Sequence, residues 1–166
     1  MKTALLTLAA LLAPEIASAA GQHTGGHGTD HGRTNGRAMA IGATAVVAPT
    51  RTVEIVMNED YDADSVYVFD KKELVFAAGE TVRLHIVNAG EEVHEFVMDT
   101  AAANAEHKEM MVKSPEMAHD DPNSVRLGPG EEAEILWTFG APGSFEFACL
   151  LPGHYEAGMH GPLTVD

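Results

Sequence analysis

Residues 81–88 read TVRLHIVN, with apolar side chains at Val82, Leu84 and Ile86 and polar ones at Arg83 and His85 between them. A repeat of two suits a strand with one face turned inward and does not suit a helix. Similar short runs recur at residues 52–57, 74–76, 93–98, 134–139, 144–149 and 163–165, and Gly, Pro and Asn punctuate the segments between them. Many short strands at close spacing predict an all-β chain, an antiparallel β-sandwich with Greek-key connections. One segment departs from the pattern. Residues 100–113 are rich in helix formers and free of Gly and Pro, and Ser114-Pro115 follows as a stop. The expectation is one short helix in an excursion between strands.

The N-terminus reads differently. Met1-Lys2 is a short positive start, the apolar run that follows is too short to span a bilayer, and Ala17-Ser18-Ala19 offers small residues for cleavage. Residues 1–19 are therefore predicted to be a signal peptide directing the chain to a periplasm, with cleavage after Ala19 or Ala20. Residues 20–50 begin glycine-rich and almost without large apolar side chains, and read as a flexible His/Gly-rich tail and arm. Residues 51–166 form the predicted domain. No second apolar run of spanning length follows, so no membrane span is expected.

The formal net charge of −15 argues against a nucleic-acid partner, which needs a positive footprint. Removing the signal takes away Lys2 and Glu15, one charge of each sign, and leaves that balance intact. Acidic groups such as Glu59-Asp60, Glu91-Glu92, Asp120-Asp121 and Glu131-Glu132 read as solvated surface.

The one cysteine of the chain lies in CLLPGHYEAGM, where Cys149, His154 and Met159 follow at equal five-residue steps. Taken alone, the stretch leaves nucleophile, core residue and metal ligand open. Thiolate, imidazole and thioether are three parts of a blue-copper donor set, which calls for a second histidine from another strand. His94, after the turn at Asn88-Ala89-Gly90, meets that demand. His85 does so less well, since alternation turns it away from Leu84 and Ile86.

The segment Asn88 to Phe96, the turn Gly79-Glu80-Thr81-Val82-Arg83 and the run Phe147 to Met159 resemble the cupredoxins of the plastocyanin/azurin type. The likeness is closest to an exported subgroup linked to copper tolerance. It implies a type 1 copper centre on His94, Cys149, His154 and Met159, cycling between Cu(I) and Cu(II), in a binding protein rather than an enzyme. Multicopper-oxidase wiring is not expected, because Cys149 is flanked by Ala148 and Leu150 instead of histidines. Leu150, Leu151, Pro152 and Gly153 are expected to ring His154 with apolar surface, open to a redox or copper-handling protein partner.

Two accessory groups suggest copper handling beyond one centre. His107, Met110, Met111, Met117 and His119 form a Met/His segment suited to Cu(I), and His23, His27 and His31 stand in the glycine-rich tail as a Cu(II) trap. The reading is a monomeric exported copper-tolerance protein; the alternative is a plain soluble electron carrier.

Overall fold

The structure, a computed structural model, describes residues 39–62, 65–114 and 121–166. In chain order the elements are β1 (Gly42–Thr44), β2 (Arg51–Glu59), β3 (Tyr67–Phe69), β4 (Leu74–Phe76), β5 (Thr81–Asn88), β6 (His94–Asp99), α1 (Ala101–Lys113), β7 (Ser124–Leu127), β8 (Glu132–Phe139), β9 (Gly143–Ala148) and β10 (His160–Val165). They build two five-stranded sheets, β1-β8-β5-β2-β3 and β4-β10-β9-β6-β7.

The alternation of β5 is realised as read: Val82, Leu84 and Ile86 are buried, while Arg83 and His85 stay half-buried on the outer face. His85 is drawn there between Glu54 and Glu132. Inward-facing side chains of both sheets meet in one apolar core around Trp137, Phe96, Phe139 and Phe147. Burying side chains of this size contributes about 1.5–3 kcal/mol each.

Each sheet also contains one parallel pair, β2 with β5 and β4 with β10, amid otherwise antiparallel neighbours. Parallel pairing needs a crossover. Here the chain leaves the first sheet after β3, adds β4 to the second, and returns to lay β5 beside β2. The arm is part of this framework from Met39 onward. β1 pairs with β8, Ile41 is fully buried, and the Trp137 indole N–H donates to the Ile41 carbonyl at 3.4 Å.

The predicted helix is α1. Thr100 caps it, its hydroxyl accepting from the Ala103 N–H at 3.2 Å, and Ser114 closes it. Asn104 ties α1 to β9 by donating to the Glu146 carbonyl and carboxylate. Lys108 reaches the other way, pairing with Glu156 at 2.9 Å and lying 4.2 Å from the centre of the Tyr155 ring. No helix among the described residues is long and apolar enough to cross a membrane.

Candidate metal centre

β6 and β9 are hydrogen-bonded neighbours, and this pairing brings the two halves of the site together. His94 opens β6, and Cys149 follows the last residue of β9. From Cys149 the chain turns on itself through 151–158. His154 N–H donates to Leu151, Met159 N–H to His154, and Cys149 N–H to Met159. The last of these bonds, at 3.0 Å, closes the loop by joining its first candidate ligand to its last. Gly153 and Gly158 take φ values of 89° and 94°, a conformation costly for any side chain, so the loop can be this tight.

One ligand atom from each of His94, Cys149 and His154 falls within 4.8 Å of the others. Cys149 Sγ lies 3.5 Å from His154 Nδ1. All three residues are buried, and Met159 is fully so. The His94 ring shows which way it faces. Its Nε2 sits 2.8 Å from Glu59, whereas its buried Nδ1 has no hydrogen-bond partner. A buried ring nitrogen without a partner costs free energy unless something accepts its lone pair. Thiolate, two imidazoles and a thioether are the donors of a type 1 copper site, so the residues present fit that metal.

The surroundings set the protonation of the group. Burial above all pushes the Cys149 thiol up to about 12, against the pull of backbone N–H groups at Glu95 and Leu151. Metal binding must therefore displace its proton. The Glu95 N–H donates to Cys149 Sγ at 3.3 Å. Burial, and then the neighbouring His94, lower the pKa of His154. Both favour the neutral imidazole that a metal requires.

Three residues of the site escaped the sequence reading: Glu59, Tyr67 and Glu95. Glu59, expected on the solvated surface, is instead buried, and it carried a signal, since Ile55, Met57 and Glu59 share the inward parity of β2 and a carboxylate on that face needs partners. Tyr67 lies flat on His154, ring centres 3.9 Å apart and planes 2° from parallel. Its hydroxyl meets the Glu92 carboxylate at 3.2 Å. The expected open apolar ring around His154 is consequently different. Leu150 and Leu151 are buried, only Pro152 and Gly153 are exposed, and His154 itself is 7% exposed. Ser65 joins the β2–β3 connection to the ligand loop by donating to the Ala157 carbonyl.

The Met/His segment divides. His107 points inward, with Nε2 3.9 Å from the Glu95 carboxylate, while Met110 is 41% exposed on the same helix. Met111 must be reassigned. It is 1% exposed, packs α1 onto the sandwich within the apolar core, and does not line the cavity that His107 and Met110 share. Met117, His119, His23, His27 and His31 lie outside the described residues.

Comparison with known proteins agrees with this architecture. The CopI copper-resistant cuproprotein of Rubrivivax gelatinosus is 44% identical over 115 residues, covering 69% of this chain and 66% of its own length. The chain thus spans about two thirds of that relative. CopI of Pseudomonas aeruginosa is 36% identical over 156 residues, covering 76% of this chain and 82% of the relative. Among solved structures, an auracyanin from the photosynthetic bacterium Roseiflexus castenholzii aligns with a TM-score of 0.59 at 27% identity, over 72% of this chain and 99% of the other. The copper binding proteins of the plastocyanin/azurin family match residues 55–166. That match takes in the second sheet, all of the first but β1 and the start of β2, and every described candidate ligand, and the chain belongs to this family, as a cupredoxin with one type 1 copper centre, near the CopI copper-resistance group.

Proposed function

We propose that the chain is an exported, periplasmic copper-tolerance protein whose copper is held by His94, Cys149, His154 and Met159 and changes between Cu(I) and Cu(II). The observation that carries this reading is the partnerless Nδ1 of His94, buried beside Cys149 and His154. Copper in such a donor set supplies a one-electron couple, soft thiolate favouring Cu(I) and imidazole accepting both states. The protein supplies rigidity and exclusion of water. Cys149 gives up its proton on binding and keeps the Glu95 N–H as a donor to sulfur. Tyr67 covers the face of His154, and buried Leu150 and Leu151 close the loop beneath it. Support for tolerance over simple electron carriage comes from the two CopI relatives, named as copper-resistant cuproproteins.

In this reading His107 and Met110 on α1 contribute to a second, weaker copper site, together with Met117 and His119, and the tail histidines capture Cu(II). The protein acts as a monomer, passing copper or electrons to a redox or copper-handling partner. A plain electron carrier, the alternative, holds a single copper. Titration with Cu(I) and Cu(II), followed by visible absorption and metal analysis, tests both levels. Intense blue or green charge-transfer absorption lost in Cys149→Ser supports the centre. Saturation at one equivalent, with copper sensitivity unchanged on deletion, refutes the tolerance role.

A further inference from the structure

To serve as a donor, the His94 imidazole must be held in one tautomer and one orientation. Glu59, the last residue of β2, is positioned to do this. Its side chain is 2% exposed, and one carboxylate oxygen stands 2.8 Å from His94 Nε2. The carboxylate also accepts from the N–H groups of Glu91, at 2.8 Å, and Glu92, at 3.1 Å. Those two residues belong to the turn that delivers the chain into His94. One carboxylate therefore holds both the ring and the backbone leading to it. Room for this is made at Gly90, where a Cβ would lie 2.7 Å from Glu59 Oε1 and 2.8 Å from its Cδ.

Resting on the ligand assignment proposed above, we propose that Glu59 is the positioning residue of the copper centre. By accepting the Nε2–H of His94 it leaves the Nδ1 lone pair facing Cys149 and His154. Its buried charge favours Cu(II) over Cu(I) in the pair. A carboxylate behind a metal-bound histidine fixes the tautomer and makes the ring a stronger donor, and losing it typically costs about 10–100-fold in metal affinity. The loss falls more heavily on the more highly charged Cu(II). Ionisation of Glu59 is compatible with its burial. Three N–H donors, from Glu91, Glu92 and His94, converge on the carboxylate, the surroundings that favour its ionised form.

Two variants and one measurement on the unaltered chain test the assignment. Glu59→Gln keeps size and removes charge. Gly90→Ala leaves every charge and ligand in place and displaces the carboxylate. In both, the ratio of Cu(I) to Cu(II) affinity should rise, by about tenfold for Glu59→Gln, which equals about 59 mV upward for a one-electron couple. In the metal-free full chain, nitrogen-15 NMR should show His94 carrying its proton on Nε2. A reduction potential unchanged within about 20 mV in a folded, coloured Glu59→Gln protein would overturn the assignment. So would an Nδ1–H tautomer in the unaltered chain, which is read even if neither variant folds. Failure of the ligand reading itself looks different: the unaltered chain then gives no charge-transfer band with copper.

Discussion

Asn88 closes β5, and its side chain is fully buried. Its amide N–H₂ donates to the Glu92 carbonyl at 2.8 Å and to the Leu127 carbonyl at 2.9 Å, while its oxygen accepts from the Gly90 N–H at 2.9 Å. One side chain thus holds the turn before His94 and anchors it to the end of β7. Replacing Asn88 with Ala deletes all three bonds. At about 1 kcal/mol net per bond the loss is about 3 kcal/mol. Two of the bonds are buried, and a stranded buried group costs about 1–3 kcal/mol, so the value should not fall below about 2 kcal/mol. For a domain of this size that is roughly a 10 °C drop in Tm. Urea unfolding of the metal-free protein, followed by Trp137 fluorescence, measures it directly. The slope with denaturant should be unchanged, since the surface exposed on unfolding is the same. A loss under about 1 kcal/mol would refute the idea that this side chain, and not the surrounding strands, holds the turn.

Glu95 makes metal-free stability depend on pH. Burial raises its pKa from 4.5 to about 7, so below about pH 4.5 its contribution is complete. Between there and pH 7 the unfolded chain gives up the proton that the folded chain keeps, and stability falls by up to about 3 kcal/mol. Denaturation midpoints of the metal-free protein from pH 4.5 to 8 should show that fall, and Glu95→Gln should flatten it. Thr100→Ala removes the cap of α1 and should cost about 1 kcal/mol in thermal unfolding. Met111→Ala should cost about 2–5 kcal/mol by leaving a cavity, while the number of coppers bound stays the same. A fall in copper stoichiometry would return Met111 to the metal-binding residues.

Much of this protein can be read along the chain because its signals are local. Period-two alternation at 81–88 determines a half-buried strand, since the repeat of the backbone settles which side chains share a face. Helix formers between Thr100 and Ser114 determine α1 for a similar reason. Three of the four donors are equally local: Cys149, His154 and Met159 sit on one short loop, and with His94 from another strand they match a blue-copper donor set. What the chain did not disclose depends on distant segments meeting. β1, β3 and β7 were not legible along the chain, and each is held by pairing with a neighbouring strand. Met111 has the composition of a ligand, and only burial against the sandwich makes it a core residue. Tyr67 reaches His154 across 87 residues, and Glu59 reaches His94 across 35. No spacing rule connects such pairs. Their contact follows from β2 and β3 lying beside the loop end of the other sheet, so the ligands were written in the sequence while the partners that orient and cover them were decided by the fold.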